Sequence, residues 1–217
     1  MVDIFTDRIH AGMLLGEKLL SMRRNWQQPV VLGIPRGGVL TAKAVSDKLR
    51  VPLNVIVARK LRAPGNPELG IGAISEHDAV WINYALVQEL GVSEDYLRNE
   101  VEYQRRRIAD YVAKFRGGAE LELRGKEAII VDDGVATGAT VIAAAIAAKR
   151  ANASLVIIAT PVIAEDVVHI VREYCDDLVW VLKPLFLYAV GMYYRDFGEV
   201  SDEQVISILS GSGVGLD

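Results

Sequence analysis

Two adjacent aspartates close an apolar stretch at residues 127–133, EAIIVDD, and a small-residue run, GVATGAT, carries the chain on to residue 140. Small residues leave backbone amides open. A helix beginning near Thr140 would aim its first N–H groups at the same spot, a ready seat for a phosphate. Gly134, Val135, Ala136, Thr137, Gly138, Ala139 and Thr140 are the candidate donors, and Thr137 and Thr140 add hydroxyls. A phosphate alone gains nothing from two neighbouring carboxylates. A ligand that also carries hydroxyl donors does, and a ribose 5-phosphate presents both groups. An ordinary helix N-cap explains one aspartate, not the pair with two threonines and two glycines.

Other phosphate loops fit less well. A Walker A loop places Lys before its Ser/Thr, whereas Ala139 precedes Thr140, and no G-x-G-x-x-G fingerprint occurs in this loop. Two more stretches offer anion chemistry. GIPRGGV, residues 33–39, sets Arg36 among glycines, either as a cationic turn before a helix or as a turn that merely needs glycine. ARKLRAPGNPELGIGAISE, residues 58–76, starts with Arg59, Lys60 and Arg62 and turns Gly/Pro-rich, which predicts a mobile basic flap. One sugar-phosphate loop plus two cationic loops suit a ribose with a phosphate at one end and a diphosphate at the other.

The elements that must position these loops are legible as short β-branched runs at 29–34, 53–58, 128–131, 155–160 and 178–182. They lack strict alternation, as strands buried on both faces do. Helical patterns at 39–50, 140–151 and 165–174 alternate with them, predicting an α/β fold: a central parallel sheet flanked by helices. In such sheets ligands sit beyond the carboxyl ends of the strands, where all three loops fall. A long helix is predicted over 93–116, ended by Gly117–Gly118, with Leu97, Val101, Ile108, Val112 and Phe115 on one face. That face either packs over the core or mediates self-association, and Arg105–Arg107 read as a solvated surface. The tail 211–217 reads as flexible.

The 217 residues carry a net charge of −4, which argues against a nucleic-acid partner, and a single cysteine, Cys175, fits a reducing cytoplasm. The N-terminus lacks an apolar leader core, and the apolar run near 178–194 is broken by Lys183 and Pro184, so no membrane span is expected.

VDDGVATGAT, residues 131–140, resembles the signature of type I phosphoribosyltransferases, whose ligand is 5-phosphoribosyl 1-diphosphate (PRPP). The 33–38 loop resembles that family's diphosphate loop, and Arg59–Lys60 the start of its flexible catalytic loop. The likeness covers roughly residues 28–62 and 120–183. It implies one Rossmann-like domain over 1–217, with 80–118 as a helical insertion and 184–217 as a C-terminal hood. It also implies displacement of diphosphate from C1 of the ribose by a base or related small nucleophile. Asp132 and Asp133 would hold the ribose hydroxyls, residues 134–140 the 5-phosphate, and Arg36, Gly37 and Lys60 the departing diphosphate. Mg²⁺ would be bound mainly through the PRPP oxygens, without a protein cage. Glu76 and His77 read as a solvated loop end or as proton-transfer groups. Phe197 either stacks on a base or packs against the C-terminal helix. Members using 6-oxopurines carry Asp where this loop has Ala136, and Lys where this chain reads IATPVIA, residues 158–164. Their absence argues against a hypoxanthine or guanine enzyme. A non-catalytic PRPP sensor and a PRPP hydrolase are the alternatives.

Overall fold

The computed structural model describes residues 4–22 and 25–211. Five parallel strands form the main sheet in the order β2-β1-β6-β7-β8, with β1 at Pro29–Gly33, β2 at Leu53–Val55, β6 at Glu127–Val131, β7 at Leu155–Val162 and β8 at Asp177–Leu182. Residue parity sorts the two faces. Val31, Ile129, Ile157 and Val179 point to one side, against Leu15 and Leu19 of α1 (Arg8–Ser21), Val39 and Val45 of α2 (Gly37–Leu49) and Val205 of α7 (Asp202–Gly211). Val30, Leu32, Ile130 and Ile158 point to the other, against the alanine-rich helix α5 (Ala139–Arg150) and Val171 of α6 (Val168–Arg172). Each strand is thus apolar on both faces, which is why none showed alternation.

The expected strand at 53–58 divides. β2 ends at Val55, and β3 (Ala58–Ala63) starts a second sheet, antiparallel, with β4 (Asn66–Ser75) and β5 (Val80–Ile82) in the order β3-β4-β5. The segment expected as a mobile flap is therefore a paired hairpin. Helix α3 (Tyr84–Glu89) leads into α4 (Glu94–Arg116), capped by the Ser93 side chain and closed by left-handed Gly117. The apolar face of α4 lies on this small sheet: Ile108 packs with Leu61, Ile71 and Ile74, and Leu97, Val101 and Val112 flank them. That packing covers the stripe except Phe115, which joins the main-sheet cluster. The expected helix at 165–174 is a 3-10 turn, Glu165–Val167, followed by α6.

The C-terminal segment 183–201 folds back to meet the N-terminus. Phe5 pairs with Tyr194 through bonds from the Phe5 amide to Tyr193 O (2.8 Å) and from the Arg195 amide to Phe5 O (2.8 Å). Gly211 closes α7, and the rest of the expected flexible tail lies outside the described residues. Among the described residues no helix is long and apolar enough to cross a membrane.

Candidate active site

Strand order reverses between β1 and β6, so the crevice beyond their carboxyl ends is the natural ligand position of this architecture. Register makes it a shared one. Gly33 sits opposite Val131, and the Ile34 amide donates to Val131 O at 2.9 Å, so both strands end level. The loop 34–38 and Asp132–Asp133 therefore start side by side. The Pro35–Arg36 peptide is cis, and α2 begins at Gly37. A Cβ on Gly37 would stand 2.9 Å from Arg8 Nε and 3.1 Å from Asp133 Cγ, and one on Gly38 2.9 Å from Asp132 Oδ1. Only glycine lets the two loops touch this closely.

The aspartates are half-buried, and the protein holds one oxygen of each. The Asp133 amide donates to Asp132 Oδ1 at 2.9 Å, and Arg8 Nε donates to Asp133 Oδ2 at 2.7 Å. Among the described residues no hydrogen bond from another residue takes Asp132 Oδ2 or Asp133 Oδ1, so one oxygen of each carboxylate has no partner elsewhere in the protein. Burial, and then the neighbouring Asp133, push the Asp132 carboxyl well above the usual carboxylate range. Burial also raises Asp133, with the Arg8 guanidinium opposing it. Tyr194 donates its hydroxyl to Asp133 O, and its own ionisation is driven up by burial, then by Asp133.

Beyond the pair the chain turns through Gly138, at φ +79°, into α5. Among the described residues nothing accepts the amides of Gly134, Ala136, Thr137, Gly138, Ala139 or Thr140, a nest at a helix N-terminus that suits an anion. Val135 departs from expectation: its amide donates to Val162 O at 2.8 Å, and its carbonyl accepts from the Ala164 amide at 2.9 Å. It is buried and ties the loop to the end of β7, so it offers no amide to a ligand.

A family model of the phosphoribosyl transferase domain matches residues 6–173. The chain belongs to that family. It is 38% identical over 214 residues to a Mycobacterium tuberculosis H37Rv protein named "Putative phosphoribosyl transferase Rv0571c", an alignment covering 96% of this chain and 47% of that protein. The chain thus spans about half the length of the curated relatives it matches. Among solved structures it resembles the protein TT1426 from Thermus thermophilus, at 36% identity and a TM-score of 0.78, with 96% of this chain and 99% of that one covered.

The other expected residues of this phosphoribosyl transferase domain are scattered more widely. Arg36 is partly exposed, with Nη2 3.6 Å from Glu199 Oε1. Lys60 pairs across the hairpin with Ala73, whose side chain packs on Ala139 and Ala143 of α5. Directly paired residues share a face, so Lys60 stands on the side of the sheet that faces the N-terminus of α5. Its ammonium donates to Glu68 O at 2.7 Å, within its own hairpin, and touches neither aspartate. Arg59 and Arg62 are not part of a basic flap. A register shift after Leu61 turns Arg62, like Arg59, toward α4, where they bond Glu100 and Gln104 at 2.8 Å each. Glu76 is no solvated loop end either: it is buried against Arg116 and accepts the Val57 amide at 2.8 Å. Phe197 has the Arg8 guanidinium over one face, 3.7 Å from the ring centre, and Tyr194 at 4.9 Å.

Arg8 was missed from sequence. It lies 125 positions from Asp133 in an unremarked first helical turn, and only the pairing of residues 5 and 6 with 193–196 brings it in.

Proposed function

We propose that this chain is a PRPP-dependent phosphoribosyltransferase, moving the 5-phosphoribosyl group to a nitrogenous base or related small nucleophile and releasing diphosphate. The observation that carries this reading is the pair of adjacent carboxylates with one free oxygen each, beside a nest of unclaimed amides. That donor and acceptor set matches a vicinal diol next to a phosphate. Family membership supports it.

Asp132 Oδ2 and Asp133 Oδ1 would accept from the two ribose hydroxyls and favour the positive charge that grows on the ring as the C1–O bond lengthens. The amides of Gly134, Ala136, Thr137, Gly138, Ala139 and Thr140, with the hydroxyls of Thr137 and Thr140, would hold the 5-phosphate and fix orientation. Val135 fixes the loop instead. Arg36, the Gly37 amide and Lys60 would face the leaving diphosphate, where developing negative charge rewards fixed cations and N–H groups. Lys60 would reach that position by exchanging the Glu68 carbonyl for the ligand.

Among the described residues no three His, Cys, Asp or Glu side chains gather as a metal cage. Mg²⁺ fits this site as an ion carried on diphosphate oxygens and water, where it would neutralise leaving-group charge. Ala136 and the IATPVIA strand end lack the Asp and Lys that 6-oxopurine members carry, which argues against hypoxanthine or guanine as the acceptor.

The test is incubation with Mg²⁺–PRPP and a panel of bases and small amines, following diphosphate and the ribosylated product. Diphosphate release that depends on one acceptor is the expected result. Acceptor-independent release would make the chain a hydrolase, and tight binding without turnover a sensor.

A further inference from the structure

Two carboxylates side by side in a half-buried crevice repel one another and each favours its neutral form. A neutral carboxyl would be a poorer acceptor for a sugar hydroxyl, so something must hold the pair in an accepting state. One cation meets it directly. Arg8 comes from the first turn of α1, and its side chain is 10% exposed against 15% for Asp133. Arg8 is itself pinned at three points. Nε donates to Asp133 Oδ2 at 2.7 Å, Nη1 donates to Gly198 O at 2.8 Å, and the guanidinium carbon lies over the Phe197 ring, 3.7 Å from its centre. Phe197 in turn packs on Tyr194, whose hydroxyl donates to Asp133 O. The first turn of α1 and the segment 194–198 thus converge on one residue, Arg8 at the Asp133 carboxylate and Tyr194 at its main-chain carbonyl.

We propose that Arg8 is a positioning residue of the sugar site, holding Asp133 as an oriented carboxylate with one oxygen left for a ribose hydroxyl, and that Phe197 and Gly198 serve to hold Arg8. This rests on the reading of the aspartate pair as a diol acceptor. It gives the C-terminal segment a role at the ribose, through Phe197 and Gly198 on Arg8. Lysine cannot replace Arg8 fully. A single ammonium cannot span the Asp133 oxygen and the Gly198 carbonyl while also sitting over the ring. Charged or titratable groups facing Asp133 are Arg8 from α1, Asp132 on its own loop and Tyr194 from the C-terminal segment. From the 34–38 loop, Gly37 backs onto Asp133 and Gly38 onto Asp132, neither with a side chain.

The experiment is calorimetric titration of the full chain with Mg²⁺–PRPP between pH 5 and 8.5, for wild type, Arg8→Gln, Arg8→Lys and Phe197→Leu, with thermal unfolding to verify each fold. Loss of one charge-assisted bond predicts PRPP binding roughly 10- to 100-fold weaker in Arg8→Gln. Without the cation the carboxylate protonates more readily, so the pH below which binding fades must move upward in Arg8→Gln. In Arg8→Lys it stays near the wild-type value, and affinity falls between the two. PRPP's own phosphate titration is common to all four proteins and cancels. Phe197→Leu loses about two- to fivefold in affinity. If Arg8→Gln does not fold, Arg8→Lys and Phe197→Leu carry the test alone, and wild-type affinity in both overturns the proposal. Weaker binding by Arg8→Gln with an unmoved pH midpoint would make Arg8 a packing residue and likewise overturn it. Failure of the wild type to bind PRPP at any pH overturns the sugar reading itself, and this inference with it.

Discussion

Gly37→Ala tests the packing at the heart of the site with a single methyl group. The added Cβ would lie 2.9 Å from Arg8 Nε and 3.1 Å from Asp133 Cγ, and nearer still to Asp133 Oδ2. Carbon meets such atoms comfortably at roughly 3.5 Å, so the carboxylate and guanidinium must separate from it by half an ångström or more. Their 2.7 Å hydrogen bond would be pushed toward the limit of useful geometry. Losing a charge-assisted bond costs about 1.5–3 kcal/mol, and overpacking adds about 1–3 kcal/mol of strain. For a chain of this size each kcal/mol lowers Tm by about 2–4 °C. We expect Tm to fall by at least 4 °C and PRPP affinity by at least roughly tenfold, read by scanning calorimetry and titration with Mg²⁺–PRPP. Gly198→Ala is the control from the same cluster: its Cβ would find its nearest neighbour at 3.6 Å and should leave both readouts within about twofold or 1 °C. If Gly37→Ala binds PRPP as wild type does, the close approach of the two loops does not shape the ligand site.

Three other outcomes follow from the same geometry. Because burial raises the Asp132 carboxyl, its ionisation opposes folding: its favourable contribution is complete below the unfolded-state pKa and is lost as pH rises through the folded one. Asp132→Asn should therefore raise Tm relative to wild type at pH 7.5, with the gap closing near pH 4, as unfolding scans across that range will show. Glu76→Gln leaves the Arg116 charge buried without its partner and should cost about 3–5 kcal/mol in urea unfolding, an effect on stability with no direct bearing on the ligand. Lys60→Ala should lower turnover far more than PRPP affinity, because on the proposed mechanism the ammonium would meet the diphosphate as its charge develops; equal losses in both would place Lys60 in ground-state binding.

The five strands of the main sheet and the loops 34–38 and 132–138 at the ends of β1 and β6 were legible because each is a local signal: a β-branched run, then glycines, then a helical period. The second sheet was not. GNPELGIG, residues 65–72, is rich in Gly and Pro and reads as loop, yet it pairs because Gly70 and Gly72 admit the Lys60 side chain and the Trp81 backbone closely. Arg59 and Arg62 looked like ligand cations because their partners sit some forty residues on. A signal for them was present: Glu100 and Gln104 fall on the apolar stripe of α4, and buried polar groups at such positions need partners. For Arg8 no local pattern exists, since its role is created entirely by long-range pairing of the two chain ends.

The central claim is that Asp132 and Asp133 accept the hydroxyls of a phosphorylated ribose. Titration of wild type and the Asp132→Asn/Asp133→Asn double variant with Mg²⁺–PRPP tests it most directly. The account predicts saturable heat from the wild type and none from a variant that still unfolds cooperatively; equal binding by both proteins, or by neither, would contradict it.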